Sequence, residues 1–453
     1  MTRRFTIALA LLLPALGASG SAHAVTGLSP AHGFAPHRVI VKFHGERTGR
    51  TQTLPPGVGV LDAARALRAN PAVAYAAPDY VASASDLVST VPNDPGTLTG
   101  LPGVPGGWVT KQWNFLPWEG TGTPLVPVSP GGIDAIGAWE NLAAAKHPGA
   151  RGVTVAVLDT GIAYRSLGGR FRRSPDFGPG QFVKGYDFVD HSPMPLDRNG
   201  HGTHVAGTIA EKTNNGIGLT GLAYRAKLMP VRVLDRLGRG RADQITQGIR
   251  FAVEHHANVI NMSFNFGCGK RVPSIVEAIR FAIRHGVVPV ASAGNLGSEA
   301  CVSPPATIPG VIGVGGSTEG GCLGDYSLTG KDIDVLAPGG GEPTPDCESV
   351  LDGPIYQVTF KGARENRFAE PSYYVGTSMA AAHVSGVAAM ILAGNVLDRA
   401  KPLSTLDAQV TTRLKRTARS LGLSPLQQGA GLIDAAKATD PNCQLGCFSN
   451  ERR

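Results

Sequence analysis

Aromatic side chains make up only 6% of the 453 residues, too few and too dispersed to form a stacking platform. Lysine and arginine exceed aspartate and glutamate by 42 to 34, a formal charge of +8, yet no long Lys/Arg block gathers them. Without a basic block or an aromatic platform the chain lacks what a nucleic-acid surface requires, and the excess charge reads as a solvated face. Beyond Ala24 no apolar run approaches the roughly 20 residues that cross a bilayer. Internal repeats and low-complexity tracts are also missing. The six cysteines include no Cys-x-x-Cys and no adjacent histidine, which speaks against a metal cluster. They suit disulfides in an oxidising compartment, with the pairing left open. Glycine (60) and proline (34) are plentiful, so a globular chain with many tight turns and close backbone approaches is expected.

Arg3 and Arg4, the apolar stretch around Leu11-Leu12-Leu13 and the Ala22-His23-Ala24 site mark residues 1–24 as a secretory signal peptide. Pro14 and Gly17 interrupt the apolar run too early for a membrane anchor. The expected destination is outside the cytoplasm, free or at the cell surface. Residues 25–90 read as a small α+β unit: a strand over Arg38–Phe43, a helix over Leu61–Arg68 and a strand near Val73–Tyr75. A polar, turn-rich linker over Ser83–Pro95 follows, then a Gly/Pro-rich loop over Gly96–Gly107. From Gly152 short apolar runs alternate with helical stretches. The runs are Val153–Leu158, Leu228–Leu234, Val259–Met262, Val287–Ala291 and Val311–Val314; the helices are Gly202–Glu211, Asp243–Ala252 and Ser274–His285. That alternation predicts an α/β fold, a parallel sheet covered by helices on both faces, spanning residues 91–453 with a short Cys-containing tail.

Three segments carry chemistry. Val155–Leu158 is an apolar run ending in Asp159-Thr160-Gly161, and open α/β sheets place their chemistry at the C-terminal ends of strands. A carboxylate there can accept the Nδ1–H of a histidine and stabilise its imidazolium. His201 opens the small-residue segment His-Gly-Thr-His-Val-Ala-Gly. Gly376-Thr377-Ser378-Met379-Ala380 starts an apolar helix, whose unpaired first N–H groups can receive a developing oxyanion. Taken singly these are a strand-end aspartate, a helical histidine and a turn serine. Together, from about Gln112 to about Lys437 and in the order Asp, His, Ser, they resemble the subtilisin-like (subtilase) serine proteases.

The resemblance implies that Ser378 is the nucleophile, His201 the general base, Asp159 its orienting carboxylate and His204 structural. It implies that Asn295, in Ala291-Ser292-Ala293-Gly294-Asn295, joins the Ser378 N–H as an oxyanion hole. Ala382 stands where the family usually has proline. Peptide substrates would add as a strand between Gly238-Arg239-Gly240 and Ser263-Phe264-Asn265, with Ser292-Ala293-Gly294 walling the primary pocket. Asn265 stands where glycine is common in the family. An uncharged wall favours apolar or aromatic residues before the cut, while Arg239 and Arg241 are expected to border one part of the cleft. Thr213–Leu219 is similar to the family's calcium loop, implying ligands from Gln112, Asp176, Thr213, Asn215, Ile217 and Leu219.

On the same resemblance Cys268 follows the substrate strand and Cys301 the Asn295 loop, so Cys268–Cys301 is the expected pair. Cys322–Cys347 and Cys443–Cys447 account for the rest. The segment closing in Tyr75-Ala76-Ala77-Pro78-Asp79-Tyr80 resembles the inhibitor-like propeptides of secreted subtilases, shorter than usual. The expectation is a secreted, monomeric serine endopeptidase made as a self-processing zymogen, cut between about Tyr80 and Asn93. A Ser-His-Asp esterase is set aside, because Ala380 replaces the last glycine of Gly-x-Ser-x-Gly and the order of the triad differs. The other reading is a catalytically silent binding protein that keeps the protease fold.

Overall fold

The computed structural model describes residues 34–55, 58–80, 91–98, 106–120, 126–297 and 301–443. The signal-peptide segment, most of the expected processing region and Cys447 lie outside the described residues. Contacts divide the chain into two units, Met1–Val88 and Ser89–Arg453.

In the first unit β1 (Phe34–Phe43) lies between β2 (Arg50–Thr53) and β3 (Val73–Tyr80), antiparallel to both. Helix α1 (Val60–Arg68) places Val60, Ala64 and Leu67 along one side, the i, i+4, i+7 stripe of a helix with one wet face. Val39 and Val41 alternate inward from β1, the first against Leu54, Val60 and Ala64, the second against Val73 and Ala76. These are small cores, and a chain segment of this length has little more to bury.

The second unit is built on a seven-stranded parallel sheet. Its strands in chain order are β4 (Thr154–Asp159), β5 (Tyr186–Asp187), β6 (Lys227–Arg232), β7 (Val259–Met262), β8 (Val288–Ser292), β9 (Ile312–Ser317) and β10 (Val335–Pro338). In space they run β10-β9-β8-β7-β4-β6-β5. All five expected strands appear, shifted by at most three residues at either end. The edge strands β5 and β10, of two and four residues, were not anticipated; β5 is too short for any period to register, and β10 is an apolar run that was passed over. A small antiparallel hairpin, β11 (Thr359–Phe360) with β12 (Phe368–Ala369), stands apart from the sheet.

Helices α2 (Ala135–Ala144), α3 (His201–Ala210), α4 (Ala242–Glu254), α5 (Pro273–Arg284), α6 (Thr377–Ala393) and α7 (Leu406–Thr417) complete the layers. On one face α3 and α6 pack on each other and on the sheet; on the other α4 and α5 do the same. Every residue of the 17-residue α6 is buried except Ser378. A helix enclosed by sheet and neighbours has no polar face, so the single opening at Ser378 stands out.

From β4 the chain first builds outward to β6 and then crosses to β7 on the other side of β4. Such a reversal opens a crevice at the carboxyl ends of the strands. Asp159 ends β4 and Ser263 follows β7 at that edge.

Candidate active site

Asp159 is fully buried, and its Oδ1 accepts the Nδ1–H of His201 at 2.8 Å and the N–H of Thr160 at 2.7 Å. His201 is the first residue of α3, with a quarter of its side chain exposed. Gly202 explains how the helix gets this close: a Cβ there would meet the Gly161 carbonyl oxygen at 2.2 Å and Asp159 Oδ1 at 3.1 Å. Asp197, which the motif reading passed over, orders the approach. Its carboxylate accepts the N–H groups of Asn199, Gly200 and Thr203 and the hydroxyls of Thr160 and Thr203. It therefore caps the helix that presents His201.

Burial disfavours the His201 imidazolium, but the charge and hydrogen bond of Asp159, with Asp197 behind it, prevail and raise its pKa. A general base at this position would work as neutral imidazole, so activity should be present above that pKa and lost as pH falls through it. The acid limb of kcat/KM is expected to have its midpoint above the ordinary value of about 6.5. A profile on a chromogenic peptide checks this; Asp159→Asn should bring the midpoint down along with the rate. His204 and His383 behave oppositely. Both are fully buried, and burial depresses them to about 3 and about 4. His204 bonds the Ile355 carbonyl and stacks on Tyr374, as suits a structural group. His383 donates to the Met379 carbonyl while Asn114 Nδ2 donates to its Nε2.

Ser378 stands at the second position of α6, and its N–H has no partner among the described residues. Its hydroxyl donates to the Ser263 carbonyl at 3.1 Å, and no hydrogen bond joins it to His201. In structures without substrate such contacts are often open and close only in the complex. The helix start is fixed by a buried polar chain. Ser385 Oγ donates to Asn261 Oδ1, Asn261 Nδ2 to Ser263 Oγ, and Ser263 Oγ to the Ser378 carbonyl. Asn295, just past β8, accepts from the Thr377 N–H at 2.9 Å and the Thr377 hydroxyl at 2.7 Å through Oδ1. Its Nδ2 is left without a partner among the described residues, free to donate beside the Ser378 N–H. Gly376 has φ +144°, and a Cβ there would meet Asn295 Nδ2 at 2.9 Å, so a side chain before the nucleophile would displace the amide. Ala382 is buried in an unbroken helix, and Ser378 keeps its place without the usual proline.

The sequence model of the subtilase family matches residues 150–431. The chain belongs to the subtilase family. Among its relatives, a thermophilic serine proteinase of Bacillus sp. (strain AK1) is 39% identical over 54% of this chain and 53% of its own length. The chain thus spans about half of that relative. Subtilisin BL of Lederbergia lenta is 36% identical, over 64% of this chain and 91% of its own length. A solved protease structure from Pseudoalteromonas arctica aligns with a TM-score of 0.58 at 30% identity, over 78% of this chain and 99% of that one. The chain is thus a subtilisin-like serine protease.

In this subtilase the two segments expected to receive substrate follow the carboxyl ends of β6 and β7 and are not themselves strands. Gly238-Arg239-Gly240 leaves a turn closed by Asp235, which accepts the N–H groups of Leu237 and Arg239. Gly240, Phe264 and Asn265 have backbone groups with no partner among the described residues, as an edge awaiting an added strand requires. Ser292, Ala293 and Gly294 are buried beside Asn295. Arg239 is exposed and unpaired, whereas Arg241 is taken up by Asp243 at 3.1 Å. The two guanidinium groups therefore do not act as a pair: helix α4 claims Arg241 at its N-cap. The expected disulfides Cys268–Cys301 and Cys322–Cys347 both form, with Cα separations of 5.7 and 6.2 Å.

The expected cation loop is assembled but internally bonded. Asp176 accepts Asn215 Nδ2 at 2.7 Å and the Leu219 N–H at 2.8 Å. Gln112 is paired with the Thr220 backbone through both amide atoms, the Thr213 hydroxyl bonds Thr220, and Ile217 is exposed. Asp94, not foreseen, accepts the N–H groups of Asn214 and Asn215 from across the chain. Burial drives the carboxyls of Asp176 and Glu211 well above the carboxylate range, reinforced by their mutual repulsion and by Asp94 and Glu370. Both carboxylate oxygens of Glu211 are buried without a partner. Buried carboxyls held towards their neutral form for want of a counter-charge fit a divalent cation, which would let them ionise.

Proposed function

We propose that this subtilase is a secreted serine endopeptidase, made as a zymogen and activated by its own cut. The observation that carries the reading is Ser378, the one opening in a buried helix, with a carboxylate-bound histidine at the head of the helix packed on it and an amide whose donor has no partner among the described residues. In the reaction His201 Nε2 takes the Ser378 proton as Oγ attacks the scissile carbonyl, and later returns it to the leaving amine. Asp159 holds Nδ1 and stabilises the imidazolium. The Ser378 N–H and Asn295 Nδ2 meet the oxyanion. A fluorophosphonate probe should label the secreted protein at Ser378 and lose that label in Ser378→Ala; an unlabelled, folded protein would instead mark a silent binding protein.

Residues 1–24 act as the export signal, and 25–90 as intramolecular inhibitor and chaperone for residues 91–453. The small, antiparallel first unit with little core of its own is in keeping with a segment that works bound to a larger partner. A polypeptide enters as a strand along Gly240 and Phe264–Asn265, and the uncharged wall at Ser292–Gly294 favours apolar or aromatic residues before the cut.

Calcium is held by the 213–219 loop with Asp176: side-chain oxygens of Asp176, Asn215 and Gln112, and carbonyls of Thr213, Ile217 and Leu219. Bound, it supplies charge compensation and loop rigidity, not chemistry. Ligand at a hundredfold excess over Kd stabilises by about 2.7 kcal/mol. A chelator is expected to lower Tm and speed self-digestion, with both responses blunted in Asn215→Ala. Superimposable melting curves with calcium and with chelator would rule the site out.

A further inference from the structure

The loop that leaves β4 gathers arginines that the sequence scatters among glycines and serines. Leu167 and Phe171 exchange N–H···O=C bonds of 3.0 and 3.1 Å, closing a hairpin around Gly168 and Gly169, both with positive φ. The hairpin is tied to the β11–β12 turn: the Arg172 N–H donates to the Glu365 carbonyl at 3.0 Å, and Asn366 Nδ2 to the Gly169 carbonyl at 3.1 Å. Its basic side chains divide into two sets. Arg170 is neutralised by Glu365 at 2.8 Å and Arg198 by Asp190 at 2.8 Å, both also lying over the Phe171 ring. Arg165, Arg172 and Arg173 have no carboxylate partner among the described residues, and all three line one cavity of about 320 Å³. Tyr164, Ser166 and Ser174 add hydroxyls to its wall. Ser166 Oγ accepts the Arg173 N–H at 3.1 Å, leaving its own proton to donate.

Three exposed arginines without a carboxylate partner among the described residues line one concavity, concentrating positive charge that an anion would relieve. The planar forks suit a group with several acceptor oxygens, which a phosphate or sulfate provides and a chloride does not. Nucleic acid is a poor fit, because the Phe171 face is already covered by arginine and Tyr164 packs on Phe182, leaving no ring for a base. We propose that the cavity bounded by Arg165, Arg172 and Arg173 binds a phosphate- or sulfate-type anion. The preformed hairpin, bonded at both rims, holds the three side chains on a common framework.

Isothermal titration of the full chain carrying Ser378→Ala, which cannot digest itself, tests this with inorganic phosphate and sulfate against chloride at matched ionic strength. Saturable binding of about one phosphate or sulfate per chain is expected, at least tenfold tighter than chloride. Each of Arg165→Ser, Arg172→Ser and Arg173→Ser should weaken it up to about fivefold, and the three together on the order of a hundredfold. Arg151→Ser, an exposed arginine elsewhere, should leave it unchanged. Phosphate no better than chloride, or an equal loss in Arg151→Ser, overturns the proposal. A second arm with active enzyme identifies the source. Faster cleavage of phosphoserine peptides than of serine peptides, abolished in the triple variant, makes the substrate the donor of the group. Equal cleavage with phosphate binding intact makes it a free anion.

Discussion

Ser378→Ala is expected to remove peptide hydrolysis, with kcat falling by on the order of 10⁶; subtilisin, a member of the same family, shows about 2 × 10⁶ for its serine. The same variant should accumulate at the length set by signal removal, with the first unit still attached. The reason is local. Ser378 is the one residue of α6 that is not buried, whereas the neighbouring Thr377 hydroxyl is buried and donates to Asn295. Alanine leaves the helix intact along with the bond from the Ser263 hydroxyl to the backbone carbonyl of residue 378, so the fold should survive and Tm should change little. N-terminal sequencing of protein expressed without another protease, alongside a chromogenic assay, provides the check. Normal processing in Ser378→Ala would show that another protease makes the cut.

Asn295→Ala should lower kcat by roughly 10²–10³, or about 2.7–4 kcal/mol, with KM nearly unchanged, because the amide donates only to charge that develops in the transition state. That magnitude is subtilisin's own. The structure adds a finer expectation. Asn295 Oδ1 accepts two bonds from Thr377, which aims Nδ2 at the reaction centre. Asn295→Asp keeps those acceptors but loses the donor and sets a negative charge beside the oxyanion, so its loss in kcat should equal or exceed that of alanine. Thr377→Val removes one of the two anchors and should cost only about tenfold, again in kcat. If Asn295→Asp retains near-normal kcat, the amide is not the donor and the oxyanion rests on backbone alone.

Asp159, His201, Ser378 and Asn295 were legible in the chain because each sits in a short contiguous motif, at a strand end or helix start whose local residues must be small or apolar. The central strands were legible for a similar reason: β4, β7 and β8 are buried on both faces and so read as short, mainly apolar runs. The two-residue edge strand β5 left no such trace. The helper residues were equally silent. Asp94 meets Asn215 across 121 positions, Asn114 meets His383 across 269, and Asp197 looks like any aspartate before an Asn-Gly turn.

By itself, then, the sequence determined the α/β alternation, the family and the residues proposed to perform the chemistry, since periodicity and motif are properties of near neighbours. Tertiary structure alone decided which buried carboxylates share a loop, which of Arg239 and Arg241 stays free, and which arginines of the 165–173 hairpin face one cavity without a counter-ion. These are matters of distance and burial between segments far apart in the chain. A hydrogen bond or an unpaired charge gains its energy from what surrounds it after folding, and no residue carries that information on its own.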